Sequence, residues 1–346
     1  MIIFTSNMLF VWIKFIICST IILLAGSQLT RYADVIAEKT GLTRAWIGLV
    51  LLALITSIPE LANGISAVTG VGMPDLAVGD IFGACLYNML ILAFLSMIWS
   101  ALRKGNIYEK ASTGHRMTGA FAILLIVIAC IGIIFSRFFP ETSILGIGPF
   151  TIIIALVYLI AQRSIYIYEK KTGELETFEG IGEGRMSLGR AAGYFVFFSV
   201  FVVAAGSWLP YIGKDISFVM GWDGTFVGSM FLGLATTLPE LVVSISALLL
   251  GSVNMAIGNL FGSDLFNVSL LFIIEIFFVE KSLFAYVSLA NLFFGLVVIA
   301  AIGLGVLALT LKPEKKVLRV LGWDSLGIIA LYIFGVYLLY SIGIRF

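Results

Sequence analysis

The sequence predicts an all-α membrane protein with ten transmembrane helices, built from two inverted five-helix repeats. Three observations lead to this prediction. Of the 346 residues, 60% are hydrophobic and only 12% are charged, and the mean hydropathy is +1.10, whereas about a quarter of the residues of a soluble domain are charged. Long apolar stretches recur along the whole chain, and one motif occurs twice. The lipid bilayer is therefore the expected main solvent.

Spanning segments follow from length, because a helix needs about 20 apolar residues to cross the hydrocarbon. Ten stretches satisfy this length: 8–30, 44–70, 75–100, 117–137, 146–166, 190–211, 224–250, 254–279, 284–310 and 320–343. The first holds its one basic residue, Lys14, in the middle rather than ahead of the apolar run, so we interpret it as a spanning helix and not as a signal peptide. The polar connection 163–189 is predicted to be a cytoplasmic linker between a first repeat, 1–162, and a second repeat, 190–346.

Orientation follows from the basic residues of the connections, since loops rich in Lys and Arg stay cytoplasmic. With the N-terminus outside, the inner connections hold sixteen Lys and Arg residues and the outer ones hold four. We therefore expect both termini outside the cell membrane. The lone His115 falls in a polar connection and is interpreted as a loop residue. Cys18, Cys85 and Cys130 lie in apolar runs, which favours buried thiols over disulfides or zinc ligands.

The repeated motif is an internal duplication. Between 48–68 and 228–248, ten of 21 positions are identical, including the Pro-Glu pairs at Pro59–Glu60 and Pro239–Glu240. A second block, one residue out of step, pairs Ala77, Gly79, Phe82, Gly83, Leu86 and Asn88 with Ala256, Gly258, Phe261, Gly262, Leu265 and Asn267. The two copies lie on the second and seventh predicted helices, an odd number of crossings apart, so they run in opposite directions. Inverted repeats that meet at the midplane are typical of secondary transporters.

The two glutamates are the strongest site candidates, because an ionised carboxylate at mid-membrane is costly unless it is paired, hydrated or bound to a cation. Each follows a proline, which removes a backbone donor and should free carbonyls in the preceding turn, around 53–56 and 233–236. Hydroxyls of Thr56, Ser57, Thr236 and Thr237 lie beside them. An all-oxygen shell with two carboxylates suits a hard cation such as Ca²⁺ or Na⁺.

The third and eighth predicted helices complete this prediction. Their paired glycines form Gly-x-x-x-Gly faces that allow close helix packing. Asn88 and Asn267 lie near mid-membrane as neutral oxygen ligands, and Ser263 shares a helix face with Asn267 at a spacing of four residues. The alternative interpretations are a protonated structural carboxyl pair for the glutamates and interhelical hydrogen bonding for the asparagines.

At these residues the sequence resembles the cation/Ca²⁺ exchanger superfamily, and most closely its prokaryotic Na⁺/Ca²⁺ exchanger branch. The motifs ThrSerIleProGlu and ThrThrLeuProGlu, and the stretch GlyAsnLeuPheGlySerAspLeuPheAsn, carry the resemblance, which is sharpest over 44–95 and 224–275. It implies a cation-binding set of Glu60, Glu240, Asn88, Asn267, Thr56, Ser57, Thr236, Thr237 and Ser263, with carbonyls from Ala53 and Gly233. It also implies that the first and sixth helices slide across the core to alternate access.

The chain departs from that family pattern at four positions. The branch usually has Asp where this chain has Asn267 and Ser where it has Ala84, and extra acids occur at Asp80 and Asp264. Helix rise places Asp80 about 12 Å from Asn88, toward an outer vestibule. Asp264 lies at the pocket edge or pairs elsewhere. Both acids are possible additional ligands that would change the coupling ion or the stoichiometry.

The predicted function is antiport of Ca²⁺, or a similar divalent cation, against Na⁺. H⁺-coupled and K⁺-dependent antiport stay open, and a cation channel is a more remote alternative. A net charge of +1 argues against nucleic-acid binding, and a single histidine argues against an intramembrane enzyme. We expect no cofactor, because Ca²⁺ and Na⁺ are cargo, and we infer no obligatory protein partner beyond the bilayer.

Overall fold

The structure, a computed structural model, describes residues 8–40, 52–103, 105–172, 186–280, 282–312, 316–318 and 321–343. The helices, in chain order, are α1 Met8–Thr40, α2 Leu52–Thr56, α3 Ile58–Ser66, α4 Pro74–Arg103, α5 Gly114–Phe138, α6 Pro149–Thr172, α7 Leu188–Met220, α8 Gly224–Val227, α9 Gly233–Thr236, α10 Leu238–Leu249, α11 Val253–Ile276, α12 Leu289–Leu311 and α13 Trp323–Gly343. π-Helical turns occupy Ala67–Val71 and Gly228–Leu232, and 3₁₀ turns occupy Ile107–Lys110 and Leu283–Tyr286. Strands β1 Lys316–Leu318 and β2 Leu321–Gly322 form a short antiparallel hairpin.

The helical fold class predicted from the sequence is confirmed. In the described part of the chain, eight helices are long and apolar enough to cross a bilayer, and the bent pair Gly224–Thr236 and Leu238–Leu249 makes a ninth candidate. The second predicted span, 44–70, is described only from Leu52 onward, so the count of ten stays a prediction. The β1–β2 hairpin was not expected, since its few residues carry no periodic signal.

Two connections differ from expectation. Helix α6 continues to Thr172, so the predicted linker that starts at 163 begins as helix, and residues 173–185 lie outside the described ranges. His115 is buried in the first turn of α5, so its interpretation as a solvated loop residue was wrong. The three cysteines are buried and free, as expected.

Helices α1 and α7 form a long pair. Each has 33 residues, which is about 50 Å of helix at 1.5 Å per residue, well beyond the roughly 30 Å hydrocarbon layer. They pack along each other, with Tyr32 stacked on Tyr194 at 5.0 Å between ring centroids and with Lys14 paired to Asp215 at 2.9 Å. The predicted ends at 30 and 211 were too early because the apolar criterion stops where polar residues begin, whereas the helices continue.

The core of the molecule consists of α4 and α11. In their spanning windows 72% and 89% of the residues are buried, against 22% in α6 and in α13. A helix that is apolar on all sides and buried needs partners on every face, and α4 and α11 obtain them from each other and from the broken segments α2–α3 and α8–α10. The polar side chains in the middle of these two helices, Asp80, Asn88, Asp264 and Asn267, are completely buried.

A buried acid at the end of α11 has a structural role. Glu275, in the last turn of α11, is 1% exposed. Its carboxyl accepts hydrogen bonds from the Thr151 hydroxyl and from the backbone N–H of Leu283, at 2.5 Å. It thereby ties the end of α11 to the start of α6 and to the turn at Leu283–Tyr286.

Replacing Glu275 with Ala is expected to destabilise the fold by about 2 kcal/mol, because the buried N–H of Leu283 loses its acceptor. Thermal unfolding in detergent measures this change. Glu280→Ala, at an exposed acid five positions further on, is the matched control and is expected to leave the transition unchanged. An equal melting temperature for both variants contradicts the structural role of Glu275.

Candidate functional site

The site forms at two helix breaks. Helix α2 ends at Thr56 and α3 begins at Ile58, and the same pattern separates α9 from α10 at Thr237. At the second break the two helical segments are bent by 44°. Pro59 and Pro239 stand in the first turn of the new helices, where a missing N–H costs nothing. The broken helices expected from the repeated Pro-Glu motif are therefore present in both halves.

Each break places a glutamate at a helix N-terminus. Glu60 lies in the first turn of α3, and Glu240 lies in the first turn of α10. The partial positive charge of a helix N-terminus stabilises an anion there. Both side chains are completely buried, and none of their four carboxyl oxygens has a hydrogen-bond partner among the described residues.

The two glutamates lie near each other inside the protein. Their carboxyl groups are close enough to repel each other electrostatically. A threonine of the opposite repeat lies beside each glutamate: Thr236 beside Glu60 and Thr56 beside Glu240. Ser263, from the same repeat as Glu240, also lies beside that glutamate. This crossed arrangement is what two interlocked inverted repeats produce. It brings together five of the predicted site residues.

The hydroxyl groups of the site are bonded to different extents. Thr236 donates to Asp80 Oδ1 at 2.9 Å rather than to Glu60, and the Thr56 and Ser263 hydroxyl oxygens lie 3.4 Å apart. The buried Ser57 hydroxyl has no partner in the part of the chain that the structure describes. Hydroxyl oxygens of this kind, next to unpartnered carboxylates, are ligands for hard cations.

The expectation that the break frees the Gly233 carbonyl was wrong. This oxygen accepts from the Thr237 backbone N–H at 3.2 Å and from the Thr237 hydroxyl at 2.6 Å. A proline lacks the N–H that would bond the carbonyl oxygen four residues before it. Pro239 therefore leaves the Ala235 carbonyl without its helical donor and does not affect Gly233. A cation at the Gly233 oxygen would therefore have to replace the hydrogen bond from the Thr237 hydroxyl. Ala53 lies in α2, and its side chain falls outside the described set.

The two central asparagines lie on the core helices α4 and α11. Asn88 and Asn267 are completely buried. Asn88 donates its Nδ2 hydrogen to Asp264 Oδ1 at 2.9 Å, so a side chain of the first repeat is bonded to one of the second. Asn88 Oδ1 and both amide atoms of Asn267 have no partner within the described ranges. Asp264 therefore pairs with a predicted ligand.

Asp80 does not line an outer vestibule. It is completely buried, bonded to Thr236, and close enough to Glu60 and Glu240 for electrostatic repulsion. Distance along one helix was misleading because α9, from the other repeat, packs against that turn. The buried side chain of Asn63 lies beside the Asp80 carboxyl, and the sequence analysis did not single out this residue. The equivalent position in the second repeat, 243, holds Val, so the comparison of the two repeats did not identify Asn63 as a shared polar position.

Glycines allow these helices to approach closely. A Cβ on Gly79 would lie 3.0 Å from the Thr225 carbonyl oxygen, and one on Gly233 would lie 2.9 Å from the Ala84 nitrogen. Helix α4 therefore packs with direct backbone contact against the turn Gly228–Leu232 and against α9. The Gly-x-x-x-Gly face predicted for the third span has this function.

Two further glycines place the long helices against the breaks. A Cβ on Gly26 of α1 would lie 2.6 Å from Pro239 Cγ, and one on Gly206 of α7 would lie 3.0 Å from the Pro59 carbonyl oxygen. The offset between the two glycines equals the offset between the two prolines, 180 residues. Each long helix thus crosses the break of the opposite repeat.

The donor set favours hard cations. Across the described residues, no three His, Cys, Asp or Glu side chains converge closely enough to hold a metal ion by themselves, so any ion held here needs hydroxyl, amide or carbonyl oxygens as well. Cys85 is buried, and its thiol points toward the Asp264 carbonyl oxygen at 3.8 Å. One buried thiol without imidazole does not make a site for a soft metal.

Comparisons with known proteins identify the family of the chain. The family model described as "Sodium/calcium exchanger protein" matches residues 10–181 and 190–342. An uncharacterized membrane protein of Methanocaldococcus jannaschii is 22% identical over 95% of this chain and 98% of its own. The sodium/calcium exchanger MaX1 of Methanosarcina acetivorans is 26% identical over 90% of this chain and 94% of its own.

Solved structures share the fold. A structure of the sodium-calcium exchanger NCX_Mj soaked with Na⁺ and Sr²⁺ superimposes with a TM-score of 0.60 at 19% identity, and the alignment covers 94% of this chain and 99% of that one. The structure of native YfkE gives a TM-score of 0.60 at 17% identity over 94% and 92% of the two chains. At these identities the likeness concerns the fold alone.

Proposed function

The chain belongs to the sodium/calcium exchanger protein family, and from this premise we propose that it exchanges Ca²⁺, or a similar divalent cation, for Na⁺ across the membrane. Membership makes it a multi-pass membrane transporter of the cation-exchange class and not an enzyme. The proposal adds the identity of the coupling ion and the mechanism of exchange.

One observation supports the proposal most directly. Glu60 and Glu240 are completely buried, are close enough to interact electrostatically although they belong to different repeats, and have no hydrogen-bond partner in the described part of the molecule. Two buried carboxylates that repel each other are stabilised when one divalent cation lies between them. The same two carboxylates can instead hold monovalent cations, one at a time or together. Exchange requires one site that can bind either the divalent cation or the monovalent cations.

We propose as ligands the residues that the sequence singled out. The carboxylates of Glu60 and Glu240 and the amide oxygens of the two central asparagines bind the divalent ion, and the hydroxyls and carbonyls at the breaks bind Na⁺ on either side. The full set is Glu60, Glu240, Asn88, Asn267, Thr56, Ser57, Thr236, Thr237, Ser263, Ala53 and Gly233. Asp264 joins this set through its bond to Asn88.

Exchange proceeds by alternating access in this proposal. Helices α1 and α7, each in contact with the break of the opposite repeat through Gly26 and Gly206, slide as a pair and open the chamber to one side at a time. The first repeat, 1–162, and the second, 190–346, form the rest of the transporter, with 163–189 as a cytoplasmic linker. Such rocking around a fixed midplane site is typical of transporters with inverted repeats.

Two alternatives make different predictions about the driving gradient. An H⁺-coupled or K⁺-dependent antiporter would use the same two glutamates, since carboxylates bind protons as well as metal ions. A channel would pass cations down their own gradient with no counter-ion and usually builds its pore from rings of subunits, whereas here a single chain contains the facing carboxylates. Transport measurements separate these cases.

The test is ⁴⁵Ca²⁺ uptake into proteoliposomes under imposed gradients. With Na⁺ inside and none outside, we expect uptake against the Ca²⁺ gradient, and we expect the uptake to stop when the Na⁺ gradient is collapsed. Uptake that follows a K⁺ or pH gradient alone would identify the alternative antiporters. Calcium flux that never exceeds electrochemical equilibrium would identify a channel and refute the proposal.

We also propose that the protein lies in the cell membrane with both termini outside, as the distribution of basic residues indicates. A protease-cleavable tag on either terminus is expected to be cleaved when protease is added to intact cells. The same tag inserted between residues 173 and 185 should be cleaved only after lysis. Protection of the terminal tags in intact cells would reverse the orientation.

A further inference from the structure

The two repeats differ at one pair of equivalent positions beside the glutamates. The first repeat has Asp80 where the second has Asn259. Asn259 donates to the Ser244 hydroxyl at 3.0 Å and to the Glu240 carbonyl oxygen at 3.4 Å, so its Nδ2 group is satisfied within its own repeat. Its Oδ1 is buried without a partner among the described residues, but the side chain occupies this position without adding a charge. The carboxylate in the first repeat needs another explanation.

The Asp80 carboxyl makes one hydrogen bond, and other polar atoms near it have no partner among the described residues. The Thr236 hydroxyl donates to Oδ1 at 2.9 Å, but Oδ2 is buried and has no partner among the described residues. Asn63 lies beside the carboxyl, is completely buried, and has neither of its amide atoms bonded within the described ranges. Buried polar groups without partners are rare in native proteins and indicate a bound ion or water.

Charge balance points to a cation. Glu60, Asp80, Glu240 and Asp264 are all completely buried, and the buried residues of the described chain include no Lys or Arg. One divalent cation between Glu60 and Glu240 neutralises two of these four carboxylates and leaves Asp80 and Asp264 without a counter-charge; Asp264 accepts a hydrogen bond from the neutral amide of Asn88. A buried carboxylate without a counter-charge costs several kcal/mol. Asp80 adds one negative charge, which one monovalent cation balances.

We propose that Asp80, Glu60 and Asn63, together with the Thr236 hydroxyl, form a second cation position for a hard monovalent ion such as Na⁺. This inference rests on the proposed antiport and extends it. Glu60 belongs to both positions, so a divalent ion at the centre and a monovalent ion beside Asp80 draw on the same carboxylate and weaken each other. The equivalent position in the second repeat, with Asn259, lacks the charge, so the pocket is electrically asymmetric.

The experiment compares two activities of the same proteoliposomes. The first is ⁴⁵Ca²⁺ uptake as a function of the monovalent cation that drives it, and the second is Ca²⁺/Ca²⁺ self-exchange, which needs no monovalent ion. For Asp80→Asn we expect the half-maximal monovalent concentration to rise by about tenfold or more, which corresponds to about 1.4 kcal/mol, and the dependence to become less steep. Self-exchange should stay within about threefold of the unaltered protein, because the central position keeps both glutamates.

Two further variants exclude a merely structural effect. Asn63→Val introduces the residue found at the equivalent position 243, leaves every carboxylate in place, and is expected to raise the same half-maximal concentration. Asp75→Asn is the matched control, since Asp75 is another acid of α4 whose Oδ1 already accepts from the Ser288 N–H and from Asn291. It should not change the dependence on the monovalent cation.

The outcomes are separable. If Asp80→Asn lowers self-exchange and driven uptake equally, or leaves the half-maximal concentration unchanged, the second position is refuted while the antiport proposal stands. If uptake in the unaltered protein responds to pH alone and never to Na⁺ or K⁺, Asp80 does not bind a metal ion and the inference is overturned. If the unaltered protein shows no driven Ca²⁺ uptake and no self-exchange, the proposed function itself fails.

Discussion

Glu60→Gln and Glu240→Gln are each expected to reduce driven ⁴⁵Ca²⁺ uptake and Ca²⁺/Ca²⁺ self-exchange by about 100-fold or more. Both carboxylates are completely buried and lie near each other, so in the proposed site each supplies half of the negative charge that balances a central divalent ion. Removing one member of a buried charge pair costs about 2–5 kcal/mol, and 100-fold corresponds to roughly 2.7 kcal/mol. Because the two glutamates occupy equivalent places in inverted repeats, the two losses should be similar.

The same variants should stabilise the cation-free protein although they impair transport. Without a bound cation the two carboxylates repel each other, and Gln removes one charge at nearly constant volume, so the cation-free protein is expected to melt at a higher temperature. The rise in melting temperature that Ca²⁺ gives the unaltered protein, through preferential binding to the folded state, should be lost. This pair of results distinguishes a lost ligand from a misfolded protein.

Glu109→Gln is the control for this series, because Glu109 is an exposed acid in the turn Ile107–Lys110. It should transport at the normal rate and keep the Ca²⁺-dependent rise in melting temperature. Normal transport by either Glu60→Gln or Glu240→Gln would contradict the shared-carboxylate site, and unequal losses would mean that the two repeats contribute differently to binding.

Much of this site could be predicted from the sequence because the motif that carries the site residues occurs twice in the chain. A proline followed by a glutamate inside an apolar stretch predicts both a break and a costly charge, and the second copy 180 residues later excludes coincidence. The structure brings Glu60, Glu240, Thr56, Thr236 and Ser263 close together, and their role as ligands stays a prediction. The crossed pairing of hydroxyls and carboxyls follows from the inverted arrangement.

Features that depend on contacts between helices were not predictable in the same way. Asp80 was placed by helix rise along α4 alone, whereas Thr236 of the other repeat reaches it. The Gly233 carbonyl was expected to be free, but Thr237 bonds it with both its N–H and its hydroxyl. Asn63 has no counterpart in the second repeat, so the comparison of the repeats did not mark it. Tertiary neighbours decided each of these cases.

The second large effect is expected at the glycines of the long helices. Gly26→Val and Gly206→Val should each slow driven Ca²⁺ uptake and self-exchange by about tenfold or more. A Cβ at Gly26 meets Pro239 at 2.6 Å, and one at Gly206 meets the Ala62 Cβ at 2.9 Å, so either side chain pushes a long helix away from the break it crosses. Overpacking of this kind costs about 1–3 kcal/mol, and 1.4 kcal/mol is a factor of ten.

These glycine variants should separate movement from binding. The carboxylates and hydroxyls of the chamber lie on α2–α4 and α9–α11, so Ca²⁺ should still raise the melting temperature in both variants while exchange is slow. Gly193→Val, at a glycine of α7 with open space around its Cβ position, is the matched control and should transport normally. Normal exchange by Gly26→Val and Gly206→Val would show that α1 and α7 do not need close contact with the breaks. Because sliding of the pair past Pro59 and Pro239 is the step assigned to these helices, that result would remove the physical basis for their role in alternating access.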